Sequence, residues 1–379
     1  MHTGAGFHSA RCVFTLAVVC LIATLEGFAM NGHLIYIGTY TRTTSQGIYS
    51  VRLDRTTGAL SNPELVATTA NPSFVALSPD RSHLYAVCES DTLAVPFAVN
   101  IDTGRLVPDI VRSSGGKAPC HLMVDHSDRC LVVAHYHTGI VAALPIAEDG
   151  SLGAAGSIIT HTGRSVHPER QTGPHVHSVN ISPDNRFVIV CDLGLDQVFT
   201  YALDPTRATL TPAATPFIAT APGAGPRHSA FSPDGRHVFV INELDSTMVS
   251  YRYEAATGAL TPLDTRSTLP DGFAGTSHCA EVRVHPSGRF VYGSNRGHDS
   301  IVVFGFDADS GRLTPVEHVP TGGRNPRNFA LSPDGAWLVA ANQNSDSLRV
   351  FRVDPATGRL TATGHTASVP LPVCLQFAN

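Results

Sequence analysis

The sequence predicts an all-β fold, a seven-bladed β-propeller, from two recurring phrases and from frequent glycine and proline. The first phrase, typified by LSPDR and FSPDGR, recurs at intervals of about 50 residues. Its six anchor positions are Ser78, Asp125, Ser182, Ser232, His285 and Ser332. The second phrase, typified by TTGAL at 56–60, recurs seven times and ends with PATGRL at 355–360. A chain of 379 residues with 33 Gly and 26 Pro favours many short strands joined by tight turns.

Each repeat unit reads as four antiparallel strands. In the unit around Ser182, SVNI precedes the SPDN turn and RFVIVCDL follows it. The segment QVFTYAL is the predicted third strand, and the second recurring phrase opens a weaker fourth. Alternating apolar residues between runs of Gly, Asp, Asn and Pro are typical of strands joined by hairpin turns. Four strands in each of seven units correspond to a seven-bladed propeller.

The two ends of the chain are predicted to meet in one blade. HLIYIGTYT at 33–41 already reads as a second strand, so the first unit lacks its first strand. VPLPVCLQF at 369–377 reads as a spare first strand. We therefore expect the C-terminal strand to join the N-terminal blade and close the ring, which leaves only short, protected strand edges.

The N-terminal segment 1–29 permits two interpretations. Arg11 precedes an apolar run from Cys12 to Leu25, and small residues follow at Gly27 and Ala29. This pattern resembles a secretory signal peptide cut after Ala29, which would make the protein periplasmic or secreted. The run is short for a transmembrane helix. Alternatively, Met30 is the true start and the protein is cytoplasmic. In both cases, residues 30–379 are predicted to form one propeller domain.

Charge and cysteine content exclude several kinds of partner and cofactor. Lys and Arg total 26 against 31 Asp and Glu, a net charge of −5 without a basic run. Nucleic acid and anionic membranes are therefore not expected partners. The six cysteines after Met30 are widely spaced, which favours buried free thiols over a disulfide framework. No zinc-binding spacing or nucleotide-binding loop is present, so no metal or cofactor is expected.

Aligning the repeats on their anchors identifies a candidate site. The start of each first strand and the end of each second strand meet on the face opposite the SPDG turns. Residues there differ from blade to blade, as expected for a site built on a repeated scaffold. Positions five before and eleven after the anchors include His177, Arg227, Glu243, Arg296 and Arg327. Because all blades converge on a central channel, we expect these side chains to converge there.

Hairpin symmetry about the turns predicts which of these residues are neighbours. The predicted cross-strand pairs are Arg227 with Glu243, Glu281 with Arg296, and His177 with Asp192. A carboxylate beside His177 would orient the imidazole and favour its charged form, as a general base requires. Asp192 also stands where other blades carry Asn242, Asn295 and Asn342, so capping of a loop is the competing interpretation.

Several of these residues lie in motifs that resemble one family. The motifs are GTYT (38–41), RQTGPHVHSVNISPD (170–184), DLGLDQVFTY (192–201), GAGPRHSAFSPDGR (223–236), NELDST (242–247), NRGHDS (295–300) and NPRNFALSPDG (325–335). Their order and spacing resemble the lactonase family of seven-bladed propellers over roughly residues 33–377. Members include the propeller-type 6-phosphogluconolactonases and the fungal carboxy-cis,cis-muconate cyclase.

The resemblance implies hydrolysis of 6-phosphoglucono-1,5-lactone to 6-phosphogluconate in the pentose phosphate pathway. By position, the family's active-site set corresponds to His177, Arg227, Glu243 and Arg296. His177 or Glu243 would activate water, and Arg227 or Arg296 would hold the developing oxyanion. Four residues are expected to bind substrate: Arg327, Glu281, Asp192 and His228. Of these, Arg327 is suited to the phosphate group.

Three alternatives stay open at the level of sequence. One is a lactonase for non-phosphorylated lactones. Another is a lactone-forming cycloisomerase that acts on a muconate, in which arginines bind carboxylates and the same His or Glu moves the proton. The third is a propeller that binds a partner without catalysis. The segments VVAHYHTG (132–139) and Ser277–Cys279 depart from the family pattern and place substrate identity in doubt.

Overall fold

The described part of the chain forms seven antiparallel sheets of four strands each, as predicted, and one of these sheets has a short fifth strand. The computed structural model describes residues 32–378, so the predicted leader segment 1–29 lies outside the described residues. Within the described range, no helix is long and apolar enough to cross a membrane. The seven innermost strands contact one another in a closed cycle, which makes the sheets the blades of a propeller around one axis.

The strands follow the chain from blade to blade. Blade 1 contains β1 (Gly32–Thr39), β2 (Gly47–Asp54) and β3 (Glu64–Thr68). Blade 2 contains β4 (Pro72–Leu77), β5 (His83–Cys88), β6 (Leu93–Asn100) and β7 (Arg105–Pro108), with β8 (Arg112–Ser113) also paired to β6. Blade 3 contains β9 (Pro119–Val124), β10 (Cys130–His135), β11 (Ile140–Pro145) and β12 (Ser157–Thr160). Blade 4 contains β13 (Val176–Ile181), β14 (Phe187–Asp192), β15 (Gln197–Asp204) and β16 (Thr209–Ala219).

The remaining blades repeat this order. Blade 5 contains β17 (Pro226–Phe231), β18 (His237–Asn242), β19 (Thr247–Glu254) and β20 (Ala259–Ser267). Blade 6 contains β21 (His278–Val284), β22 (Phe290–Arg296), β23 (Ser300–Asp307) and β24 (Arg312–Pro320). Blade 7 contains β25 (Pro326–Leu331), β26 (Trp337–Asn342), β27 (Ser347–Val353) and β28 (Leu360–Ser368). The last strand is β29 (Pro372–Phe377).

The ring closes through the C-terminal strand, and the predicted closure is confirmed. Strand β29 pairs antiparallel with β1, with Ile35 opposite Phe377, and becomes the innermost strand of blade 1. It also contacts the innermost strands of blades 2 and 7, β4 and β25. The Trp337 indole Nε1 donates a hydrogen bond of 3.1 Å to the Arg55 carbonyl and so links blade 7 to blade 1. The ring of blades is therefore closed, and the innermost strands leave only short edges that face the central channel.

The hydrophobic core lies between adjacent blades. Side chains on the two faces of a blade pack against its two neighbours, so the middle strands are buried on both sides. Phe187 of β14 packs with Val238 of β18 and Tyr251 of β19, which joins blades 4 and 5. The outermost strands are largely exposed or half-buried, as in β16. The six cysteines in the described range are buried, as predicted, and unpaired.

The recurring SPDG segments are structural turns. In blade 5, the Ser232 hydroxyl donates to Asp234 Oδ1 at 2.6 Å and accepts from the His237 backbone N–H at 2.9 Å. Gly235 follows with φ +68°, a conformation that glycine adopts without steric cost. The polar groups of the turn therefore bind one another. The candidate site lies at the opposite ends of the inner strands.

Candidate active site

A charged cavity of about 270 Å³ lies among the inner strands, on the face opposite the SPDG turns. It is lined by Glu89, Cys120, Tyr136, Arg170, His177, Glu243, His278, Arg296 and Arg327. Three of the four predicted catalytic residues line it directly. The fourth, Arg227, lies behind the wall and contacts Glu243. The structure therefore brings the predicted set together, drawn from blades 4, 5 and 6.

A backbone irregularity directs several of these side chains toward the axis. In blades 4, 5 and 7, the register between the first two strands shifts by one residue at the start of the first strand. The extra residue of each bulge is His177, Arg227 or Arg327. A bulge leaves one residue unpaired and changes the direction of its side chain. The row found by aligning the repeats is therefore a row of bulge residues.

Glu243 is the centre of the charged cluster. Its Oε2 accepts a hydrogen bond from Arg227 Nε at 2.9 Å and forms an ion pair with Arg296 Nη2 at 2.8 Å, and its Oε1 accepts from Arg170 Nη2 at 2.6 Å. Burial alone would raise the pKa of Glu243, but Arg296 and Arg227 outweigh it and hold the pKa well below its usual range. Glu243 is therefore an ionised carboxylate whose oxygens are already engaged by three guanidinium groups.

The arginines around Glu243 are organised by backbone carbonyls as well. Arg227 donates from Nη1 to the carbonyl of Ala280, and Arg296 donates from Nη2 to the carbonyl of Cys279 at 2.8 Å. Burial lowers the pKa of Arg227 to about 9, and the positive charge of Arg296 acts in the same direction. Arg227 is therefore still predominantly a cation at neutral pH, and it is fully enclosed by protein.

His177 lies in the cavity wall next to aromatic rings. Its ring is 5.5 Å from Tyr136 and 5.3 Å from His228, measured between ring centroids, and both contacts are edge-to-face. Burial, followed by the charge of Arg227, lowers the pKa of His177 well below its usual value. Its Nδ1 is buried and has no hydrogen-bond partner within residues 32–378. His177 is therefore a neutral imidazole at neutral pH.

Arg327 differs from the other cavity arginines because no carboxylate of the described chain forms an ion pair with it. Its Cζ lies 5.5 Å from the centroid of the Tyr40 ring. Burial opposes its charge, but Tyr40, Glu89 and Glu243 together raise the pKa of Arg327. Arg327 is consequently a cation on the cavity wall whose donors are available to a bound anion.

Two of the three predicted cross-strand pairs are wrong, and bulges are the reason. The Arg227–Glu243 pair is confirmed at 2.9 Å. Asp192 instead pairs in register with Val176, accepts from the His175 N–H at 2.8 Å, and contacts His161 Nδ1 at 2.7 Å. Asp192 is thus a loop-capping residue and a partner of His161, and it does not line the cavity.

The Glu281–Arg296 pair is absent because the pairing of β21 with β22 is irregular between Cys279 and Val282. Arg296 binds Glu243 of the neighbouring blade instead. Glu281 contacts His228 Nδ1 at 3.2 Å and Arg283 Nη2 at 3.5 Å.

Neither His228 nor Glu281 lines the cavity, although both were expected to bind substrate. Both side chains are buried, and Asn328 Nδ2 also donates to Glu281 Oε2. The ring of His228 is 5.1 Å from that of His121 and 5.3 Å from that of His177. Within residues 32–378, no group of His, Cys, Asp or Glu is arranged to hold a metal ion. The two residues instead form a polar layer next to His177.

The repeat analysis missed Arg170, which binds Glu243 from a loop between blades 3 and 4. No other blade has an equivalent residue, so alignment of the repeats could not identify it. Asp196 fixes this loop: it accepts from Gln171 Nε2 at 2.7 Å and from the Ser165 hydroxyl at 2.6 Å. It also accepts from the backbone N–H of Gly225 at 2.7 Å, two residues before Arg227. Asp196 thus connects the segments that carry two of the arginines on Glu243.

Glu89 and Tyr136 were also missed, although a signal for both is present. They stand eleven residues after their anchors, the position that Glu243 and Arg296 occupy in blades 5 and 6. His278 lies within one of the segments that depart from the family pattern, and its side chain lines the cavity. The full set of residues eleven positions after the anchors therefore predicts the cavity lining better than the charged cross-strand pairs do.

Comparison with known proteins supports a relationship along nearly the whole described chain. The family described as lactonase, seven-bladed β-propeller, matches residues 34–377. The 6-phosphogluconolactonase of Bacillus subtilis strain 168 is 39% identical over 352 residues, which cover 92% of this chain and 99% of the relative.

Solved structures agree with this relationship. The periplasmic gluconolactonase of Pseudomonas aeruginosa is 36% identical with a TM-score of 0.86, covering 91% of this chain and 99% of that chain. A protein from Lactobacillus plantarum is 34% identical with a TM-score of 0.85, also covering 91% of this chain and 99% of that chain.

Proposed function

Since this chain belongs to the family of seven-bladed β-propeller lactonases, we propose that it is a lactone hydrolase that opens 6-phosphoglucono-1,5-lactone to 6-phosphogluconate. The observation that carries the proposal is the cavity that His177, Glu243, Arg296 and Arg327 line together. The 39% identity to the Bacillus subtilis 6-phosphogluconolactonase supports this choice of substrate. The reaction would supply 6-phosphogluconate to the pentose phosphate pathway.

His177 is the proposed base that activates water. Its neutral imidazole accepts a proton from water as the water oxygen forms a bond to the lactone carbonyl carbon. The bond from that carbon to the ring oxygen then breaks, and the ring oxygen takes the proton back from the imidazolium. Glu243 is poorly suited to the same task, because three arginines already occupy its oxygens and keep it ionised.

Arg296 is the proposed oxyanion donor. It lines the cavity, while Glu243 and the Cys279 carbonyl hold its guanidinium in place. A donor fixed before the reaction begins stabilises developing charge without reorganisation. Arg227 is buried behind Glu243 and acts by positioning that carboxylate. Glu243 therefore aligns the arginines in this proposal.

Arg327 is the proposed phosphate-binding residue. A guanidinium group can donate two parallel hydrogen bonds to a phosphate. Arg327 lines the cavity and forms no ion pair with any carboxylate of residues 32–378. An incoming phosphate therefore does not have to displace an existing partner.

A non-phosphorylated gluconolactone is the second candidate substrate. The 36% identity to a periplasmic gluconolactonase favours it. The signal-like segment 1–29 would also favour it, because export separates an enzyme from phosphorylated intermediates of the cytoplasm. We propose cytoplasmic hydrolysis of the phosphorylated lactone if translation begins at Met30. A start at Met30 and cleavage after Ala29 both leave Met30 as the first residue. Detection of a protein of that mass in the cytoplasmic or in the exported fraction of the cells therefore distinguishes the two cases.

Hydrolysis by purified protein beginning at Met30 tests the function. Both lactones are supplied, and the rates are compared with spontaneous opening. We expect acceleration that is lost in Glu243→Gln and Arg296→Ala. We expect Arg327→Ala to raise KM for the phosphorylated lactone and to leave the other lactone nearly unaffected. A folded wild-type protein that accelerates neither lactone would overturn the proposal and favour a cycloisomerase or a binding platform.

A further inference from the structure

The cavity holds two carboxylates in very different surroundings. Glu243 forms ion pairs with three arginines, whereas Glu89 forms no ion pair with any cationic side chain of residues 32–378. Glu89 Oε2 accepts one hydrogen bond, from the Tyr40 hydroxyl at 2.7 Å. Its Oε1 accepts none from the described chain. An ionised carboxylate has about four acceptor sites, so Glu89 has acceptor capacity left for a ligand.

Tyr40 holds Glu89 in one orientation. The Tyr40 ring is buried, and two guanidinium groups lie close to it, with Arg42 Cζ 4.2 Å and Arg327 Cζ 5.5 Å from its centroid. Burial raises the pKa of Tyr40 to about 12, so its hydroxyl keeps its proton at neutral pH. The phenol therefore remains a hydrogen-bond donor to Glu89. Because Tyr40 is buried and hydrogen-bonded to Glu89, the carboxylate is oriented before a ligand arrives.

Glu89 also lies where the inner cavity adjoins a second cavity. It lines a second, more open cavity of about 790 Å³, together with Arg42, Lys117 and His137. Glu89 is shared by the linings of the two cavities. A ligand that enters the inner cavity from this side passes the Glu89 carboxylate.

We propose that Glu89 accepts hydrogen bonds from the ring hydroxyls of the substrate and thereby selects polyhydroxylated lactones, with Tyr40 as its positioning residue. The inference rests on the lactonase function proposed above. A hydroxyl group donates to the free oxygen of Glu89, and a charged acceptor makes such a bond stronger than a neutral one. A ligand without hydroxyls leaves the carboxylate desolvated and unsatisfied. A dicarboxylate such as a muconate meets a negative charge there.

Glu89→Ala and Tyr40→Phe test this assignment, with Asp91→Ala as the matched control. Asp91 is a neighbouring carboxylate that lines only the outer cavity. For gluconolactone hydrolysis, Glu89→Ala should raise KM at least about tenfold with a smaller change in kcat. Tyr40→Phe should raise KM less, because the carboxylate remains but is no longer oriented. Asp91→Ala should leave both constants within about twofold of wild type.

Calorimetric binding of gluconate and hexanoate makes the test independent of turnover. The two ligands share a carboxylate and a six-carbon chain, but only gluconate carries hydroxyls. Glu89→Ala should weaken gluconate binding at least about tenfold and leave hexanoate unchanged or tighter. Equal effects on both ligands, or no effect on gluconate in a folded variant, would overturn the role of Glu89. A wild-type protein that binds gluconate but opens no lactone would instead contradict the proposed function.

Discussion

Arg170 and Glu243 form an ion pair of 2.6 Å between a loop outside the repeat and the residue that directly follows the second strand of blade 5. The same carboxylate binds Arg227 at 2.9 Å from within its own blade. The Arg170 side chain is 32% exposed, whereas that of Arg227 is only 2% exposed. Glu243 thus forms one ion pair with a partly exposed arginine and one with a buried arginine. We expect burial to determine how much each ion pair contributes to the free energy of unfolding.

Replacing each arginine by glutamine should show how burial determines the stability that each ion pair contributes. Arg170→Gln should lower the free energy of unfolding by no more than about 1 kcal/mol, because water screens a partly exposed pair. Arg227→Gln should cost about 3–5 kcal/mol, because it removes a buried partner from a buried charge. Urea unfolding measures both. Arg207→Gln, at an exposed pair on a turn, is the control and should change nothing measurable. Equal losses for Arg170 and Arg227 would contradict the argument.

The architecture of this fold could be predicted from sequence because each blade repeats the same turn chemistry. The Ser232–Asp234 contact and the positive φ of Gly235 are local, so SPDG predicts its turn wherever it occurs. The pairing of the C-terminal strand with the N-terminal blade could also be predicted, because the first repeat lacks its first strand and the chain ends with an additional one. Neither inference needed knowledge of contacts between blades.

The geometry of the site could be predicted only in part, because it depends on bulges. Counting outward from a turn assumes one residue opposite one residue. The extra residue at His177 moves Asp192 opposite Val176, and the irregular pairing around Glu281 removes its predicted contact with Arg296. The Arg227–Glu243 pair forms despite a bulge because a long guanidinium side chain can reach across it. Strand register depends on packing, which the alternation of residues alone does not specify.

Asp196 should position both Arg170 and Arg227 without touching the substrate. It binds the Gln171 amide of the loop and the backbone N–H groups of Gly223 and Gly225. Asp196→Asn replaces one acceptor oxygen by a donor that faces other donors, so both segments should loosen. We expect kcat/KM to fall about tenfold or more.

A double-mutant cycle checks that Asp196 acts through Arg170. The effects of Asp196→Asn and Arg170→Gln should be non-additive by at least about 0.5 kcal/mol in kcat/KM, because the first change displaces the group that the second removes. Asp204→Asn is the control, since Asp204 accepts hydrogen bonds only within its own exposed turn. Strict additivity with Arg170→Gln would show that Asp196 has only a general structural role.

His177 should determine the acid limb of the pH–rate profile. A base works in its deprotonated form, and burial together with Arg227 lowers the pKa of His177 well below 6.5. The value of kcat/KM should therefore stay level between pH 7.5 and 6.5, and decline only well below pH 6.5. His177→Gln should remove about two to four orders of magnitude in rate and abolish this limb. A midpoint at or above pH 6.5 would contradict a buried neutral base.

The same burial predicts how stability depends on pH. Burial lowers the pKa of both His177 and His228 well below 6.5, whereas in the unfolded chain both titrate near the ordinary value. Below pH 6.5 the unfolded chain binds protons that the folded chain does not, so the stability present above pH 6.5 is lost as the pH falls toward the folded pKa values. Each histidine should contribute a slope of about 1.4 kcal/mol per pH unit in that window.

Urea unfolding between pH 7 and 5 measures this slope. His177→Gln removes one of the buried histidines with a lowered pKa, so the free energy of unfolding should depend less steeply on pH by about one proton. His126→Gln, at an exposed position near the SPDN turn of blade 4, is the control and should leave the slope unchanged. If His177→Gln and wild type show the same slope, then His177 takes up a proton in the folded state, and its role as a neutral base in a dry cavity wall is wrong.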